Sequence, residues 1–164
     1  MVYVISKQGT PLMPTERFGK VRRMLKNSLA HVVRRIPFTI QLDYDTTEFT
    51  QPITLGIDAG SKHIGVSSTT TEKELYAADV ELRNDIVDKL STRREQRRTR
   101  RNRLRYREPR FDNRVSSKKN GWLSPSVENK VQTHMYVVKN VCKILPVSNI
   151  VLETTSFDMQ KIKR

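Results

Sequence analysis

From Arg93 to Arg110 the chain carries ten arginines, while Leu90 and Leu104 are the only aliphatic residues between Lys89 and Pro109. Such a segment cannot enter a hydrophobic core, because unpaired guanidinium groups are too costly to strip of water. The fold must be built by the sequence on either side. The segment itself predicts a helix over 85–110. Asp85-Ile86-Val87-Asp88 opens it, arginine is a good helix former, and nothing breaks it before Pro109. At 3.6 residues per turn the arginines surround the helix and do not form one stripe. Their mutual repulsion makes the free helix marginal, and contact with a polyanion on several sides makes sense of it. A solvated or disordered basic run is the alternative, and the internal position counts against it.

The balance of charge points the same way. Lys plus Arg number 31 and Asp plus Glu 17 in 164 residues, a net charge of +14. That length allows one ordinary domain or two small ones. No apolar stretch is long enough to span a bilayer, and no signal-peptide pattern is seen. Cys142 is the only cysteine, which excludes an internal disulfide and suits a reducing cytosol. No Cys/His cluster has zinc spacing. The expected partner is a nucleic acid, with no membrane and no small-molecule substrate.

Residues 1–48 read as a small α/β module. Val2–Ser6 predicts a strand, and Pro11-Leu12-Met13-Pro14 a stiff extended turn. Thr15 suits a helix N-cap, and Phe18, Val21, Leu25 and Leu29 fall at helical spacing after it. His31–Leu42 predicts one or two strands, broken or bent at Pro37. Arg22, Arg23, Lys26, Arg34 and Arg35 are candidate phosphate contacts; a solvated face is the plainer reading of them. The acidic, Thr-rich 43–52 reads as a linker. Residues 53–84 predict three strands, at 53–58, about 63–70 and 74–82, joined by short turns into an antiparallel meander.

Beyond the arginines, 111–122 is basic and loop-like, and Trp122 suits packing under the next helix or stacking on a base. The clearest helix covers 124–145, with Ser124 as cap and Pro125 in its first turn. Val127, Val131, Met135, Val138, Cys142 and Leu145 form its apolar stripe, widened by Val137, Val141 and Ile144. Cys142 then reads as an inert core thiol, and His134, beside the stripe, as a structural histidine. Val147–Glu153 predicts a last strand, parallel to the first of the meander because a helix lies between.

Asp58 ends the apolar run Ile53–Ile57, and Glu153 ends the apolar run before it in the same way. If their strands pair in parallel, both carboxylates emerge at the carboxyl edge, where open α/β sheets bind ligands. Adjacent carboxylates repel, and a divalent cation relieves that repulsion. Mg²⁺ prefers oxygen ligands and retains waters, which suits a phosphodiester substrate. A turn-forming role for Asp58 and an ordinary exposed strand end at Glu153 are the plainer alternatives. Asp158 lies beyond the strand and reads as loop or capping material.

Asp58-Ala59-Gly60-Ser61-Lys62-His63-Ile64-Gly65 resembles the first motif of RuvC-like nuclease domains, which have the ribonuclease H fold. Val151-Leu152-Glu153 resembles the second. The arginine helix resembles the bridge helix of RNA-guided nucleases. The Pro11-Leu12-Met13-Pro14 stretch, with its basic helix, resembles the N-terminal module of IscB and IsrB, also described as the RRXRR domain; the Arg22-Arg23 and Arg34-Arg35 doublets suit that name. The resemblance implies an α/β chain made of an incomplete ribonuclease H-like mixed sheet, a small N-terminal α/β module and a bridge helix. It implies the N-terminal portion of a transposon-encoded RNA-guided DNA endonuclease of the prokaryotic cytosol, divided at 1–48, 53–84, 85–110 and 111–164. Guide RNA and target DNA are the implied partners, together with a C-terminal nuclease fragment.

Asp58 and Glu153 carry over as catalytic metal ligands for Mg²⁺, two ions in the complete enzyme. Arg93, Arg94, Arg97, Arg98, Arg100, Arg101, Arg103, Arg105, Arg107 and Arg110 carry over as nucleic-acid contacts. The family's third acidic motif is missing from the sequence, so cleavage by this chain alone is not expected. A non-catalytic basic nucleic-acid-binding protein is the alternative. An ATPase of the actin or sugar-kinase type would also use Asp-Xaa-Gly-Ser between strands, but the arginine helix argues against it.

Overall fold

The structure is a computed structural model, described over residues 1–103 and 118–154. Its described residues form a mixed α/β arrangement of two four-stranded mixed sheets and three helices. Residues 1–81 and those from 134 onward form one compact unit, and 82–133 form another. No helix among the described residues is long and apolar enough to cross a membrane.

The first sheet holds β1 (Val2–Ile5), β2 (Pro11–Thr15), β3 (Ala30–Arg34) and β4 (Thr39–Leu42), in the order β2-β1-β4-β3. β1 runs parallel to β4, and the other pairs are antiparallel. The stretch expected as a turn at Pro11–Pro14 is therefore strand β2. It tolerates two prolines because it lies at the sheet edge, where missing N–H donors break no second ladder. The segment around Pro37 resolves into two strands joined by a connection with a cis Ile36–Pro37 bond.

Helix α1 (Phe18–Lys26) buries Val21 in a core with Val2, Leu12, Ala30, Ile40 and Leu42; Met24 and Leu25 pack against it. Two expectations fail here. Thr15 does not cap α1; it lies two residues before the cap position, and its Oγ1 accepts from the Arg17 N–H at 3.2 Å. Phe18 and Leu29 are exposed; for Leu29 the helix stops at Lys26 and Ser28 takes a left-handed φ of 54°, which turns it off the stripe.

The second sheet holds β5 (Ile53–Ala59), β6 (His63–Thr69), β7 (Glu74–Glu81) and β8 (Val147–Glu153), in the order β7-β6-β5-β8. β5, β6 and β7 form the expected antiparallel meander, and β8 joins β5 in parallel. Alternation decides the faces: Ile53, Leu55, Ile57, Ile64 and Val66 are buried, and the residues between them are not. The two sheets are tied at the Tyr3 side chain, and at the surface by an ion pair of Lys73 with Glu16 at 3.6 Å. The buried Tyr3 hydroxyl donates to the Leu75 carbonyl at 3.0 Å, and its ring meets Tyr76 edge-on at 6.3 Å. Burial, then the neighbouring Tyr76, pushes the Tyr3 phenol above its ordinary value.

α2 (Ile86–Arg103) and α3 (Pro125–Cys142) are the other helices of the described residues. The expected α3 stripe is displaced. Val127, Val131 and Met135 are exposed, whereas Val137 and Val141 are buried, with Ile144 and Leu145 just beyond. Two apolar stripes run side by side on this helix, and periodicity alone cannot choose between them. Cys142 is half-buried, and that burial pushes its thiol up, as suits an unreactive side chain.

Candidate metal centre and nucleic-acid interface

β5 places Asp58 near its carboxyl end, just before a turn that only glycine can make. A Cβ on Gly60 would lie 2.4 Å from the His63 carbonyl oxygen, a contact that backbone cannot relieve cheaply. The chain therefore reverses into β6 directly behind Asp58. Across the parallel pair, Asp58 stands in register with Glu153. Neighbouring strands lie about 4.8 Å apart, so two carboxylates at one register can share a cation. Both residues are exposed. They line one open concavity of about 920 Å³ on the second sheet, with Gly56, Gly65, Ser67, Ala77 and Asp79.

The same register line continues beyond Asp58. Asp58 pairs with Gly65, and Gly65 pairs with Asp79 on β7. Four positions, Glu153, Asp58, Gly65 and Asp79, thus cross the sheet in one row. Gly65 keeps the middle of the row clear: a Cβ there would stand in van der Waals contact with the Asp58 Cβ, at 3.4 Å. Asp79 is held by His63, whose Nδ1 lies 3.3 Å from its Oδ2. Sequence reasoning missed Asp79. Its alternation within β7 and the short meander turns were the signal, since together they fix the register that puts it opposite Gly65.

Carboxylate oxygens at this spacing suit a hard cation that keeps part of its water shell. Among the described residues no group of three or more His, Cys, Asp or Glu side chains could hold a metal together. Asp58 and Glu153 are therefore a pair and not a closed cage.

α2 buries none of its residues. Asp85 precedes it, with its carbonyl accepting the Lys89 N–H at 3.1 Å and its carboxylate paired to Arg83 and Lys89. The Arg83 hydrogen bond, then that of Lys89, holds the Asp85 carboxyl down at about 2. The arginines do surround the helix, yet one side is organised. Leu90, Arg94, Arg97, Arg98, Arg101 and Asn102 line a concavity of about 610 Å³. Their spacing is i, i+4, i+7, i+8, i+11 and i+12, one helix face. Arg105, Arg107 and Arg110 lie outside the described residues. Arg22, Arg23 and Lys26 are exposed on α1, and Arg34 and Arg35 stand at the end of β3. Trp122 is half-exposed, with the Lys118 ammonium 3.9 Å above its ring.

The sequence model of the RRXRR protein family matches residues 2–164. The chain belongs to the RRXRR family. The string Arg-Arg-Xaa-Arg-Arg occurs once in this RRXRR chain, as Arg97-Arg98-Thr99-Arg100-Arg101. It falls on α2 and not on the doublets of the N-terminal module. No curated protein matched the chain.

Proposed function

We propose that this RRXRR protein is part of a transposon-encoded RNA-guided DNA endonuclease of the IscB type. Its second sheet is read as the ribonuclease H-like core of a RuvC-like nuclease, and α2 as its bridge helix. Membership of the RRXRR family supports the association with such nucleases. The observation that carries the catalytic part is the register of Asp58 with Glu153 across a parallel pair at one rim of a concavity. Mg²⁺ at that rim would supply charge neutralisation at the scissile phosphate and an activated water. Asp58 and Glu153 would hold the cation; the small floor of Gly56, Gly65 and Ala77 would let a sugar–phosphate backbone approach the sheet. α2 grips guide RNA by its phosphates, with Arg94, Arg97, Arg98 and Arg101 as the leading contacts.

A second reading, a non-catalytic nucleic-acid-binding protein, is favoured by one fact: the acidic cluster stops at two ligands among the described residues. Calorimetric titration with Mn²⁺ separates the two. Saturable binding that Asp58→Ala abolishes supports the nuclease site. No metal binding by the wild type, beside tight binding of structured RNA, leaves only the second reading.

A further inference from the structure

One large aromatic side chain serves neither a core nor the metal pair. Trp122, the only tryptophan in the sequence, keeps 46% of its surface exposed, and Lys119, Asn120, Gly121 and Leu123 around it are exposed as well. The backbone there is a tight turn. The Trp122 N–H donates to the Lys119 carbonyl at 3.0 Å, and Gly121 holds a φ of 79°, the left-handed value that the third position of a type II turn requires. α3 starts directly behind it: the Ser124 carbonyl accepts from the Val127 and Glu128 N–H groups, both at 2.9 Å. The turn is thus mounted on a helix start, and it leaves in water an apolar ring whose burial would be favourable.

The same turn carries charge. The Lys118 ammonium rests 3.9 Å over the indole ring, and Lys119 follows it. On an exposed ring such a contact is weak, and a phosphate offers the ammonium a full negative charge instead. A nucleobase stacked on the indole brings its phosphate with it, so Lys118 can exchange the ring for that phosphate and stay paired. Every base has a π face, which makes such a platform tolerant of sequence. Bases inside a duplex hide their faces against one another, so only an unpaired base can splay onto the ring. The arginines of α2 work differently, since a phosphate contact does not require an unpaired base. α2 and the 119–122 turn belong to the same compact unit. We propose that Trp122 stacks on an unpaired base of the RNA that α2 grips, with Lys118 taking the adjoining phosphate. The inference rests on α2 binding RNA, and adds to it a preference for RNA interrupted by unpaired nucleotides over continuous duplex.

The test uses the full chain and two blunt RNA duplexes that differ only by a short bulge of unpaired adenines. Trp122 is its own reporter, because no other indole emits. Saturation with the bulged RNA should quench that emission strongly, and saturation with the continuous duplex hardly at all. By anisotropy the wild type should bind the bulged RNA about tenfold tighter, the scale of one stacked base. Trp122→Ala should bring the ratio to about one, while Trp122→Phe, which keeps a ring, should retain most of it. Lys118→Ala should lower the salt slope for the bulged RNA by about 1. The turn is exposed, so these variants leave folding intact, which thermal melting confirms. A wild-type ratio of one, a ratio that survives Trp122→Ala, or an emission that the bulged RNA leaves unchanged overturns the proposal; an unchanged salt slope overturns the share given to Lys118. If the ratio is one while both RNAs bind with a steep salt dependence, the reading of α2 stands and only the role of Trp122 fails. If neither RNA binds, both fail together.

Discussion

α1 and α2 are both basic helices, and they are held in opposite ways. α1 is nine residues long and sets Val21 into a core shared with four strands, so its charges ride on an anchored element. α2 is twice as long and anchors nothing; even its leucine at position 90 is half-exposed. Basic residues on an anchored helix can be ordinary solvation. Basic residues on a helix without an inner face contribute nothing to a core, so the proposed nucleic-acid contact is the use that remains for them. The difference teaches where charge is informative: on the element whose charge the fold does not need.

The sharpest way to break this contrast is to neutralise α2. Replacing Arg97, Arg98, Arg100 and Arg101 by alanine should weaken RNA binding on the order of a thousandfold at 50 mM salt and lower the salt slope by about 3. Melting should hardly move, because surface substitutions stay within about 0.5 kcal/mol. A large loss of stability instead would mean that α2 is structural after all. Next in size is Asp58→Ala, which touches neither helix. It should cost more than the roughly 10–100-fold in metal affinity that losing an outer-shell partner costs, with RNA affinity within about twofold of wild type. Equal loss of both would merge two functions held apart here.

Val21→Ala tests the anchored helix. Removing two buried methyl groups should cost about 2 kcal/mol, seen as a lower urea midpoint, while the folded protein binds RNA as before. The smallest effect concerns the start of α2. The Asp85 carboxyl is depressed in the folded chain, so its contribution is present above the ordinary carboxylate value and lost as the pH falls toward about 2. Helical circular dichroism should therefore decline over that acidic window, and Asp85→Asn should flatten the decline. An identical acid profile in the variant would remove Asp85 from the role.

Much of this was legible in the sequence. The meander, the parallel return of β8 and the Asp58–Glu153 register follow from apolar runs that end on carboxylates and from a helix placed between them. Local chemistry that competes at a boundary was not legible. Thr15 has the side chain of a cap, but β2 extends through it and delays the helix. The α3 sequence offers two neighbouring stripes, and only the packed structure selects Val137 and Val141. Asp79 was hidden because its meaning depends on a residue two strands away through a glycine.

The two outer strands of the second sheet differ in one more respect. β7 carries Glu74, Asp79 and Glu81, whereas the middle of β8 is Ile150-Val151-Leu152, each more than half exposed. An uncharged margin of this kind invites adhesion between molecules, and the surplus of fourteen positive charges holds copies apart. Added electrolyte weakens that mutual repulsion. Raising ionic strength should therefore bring copies together along β8, and light scattering across a salt series, unchanged from low to high salt, would count against it.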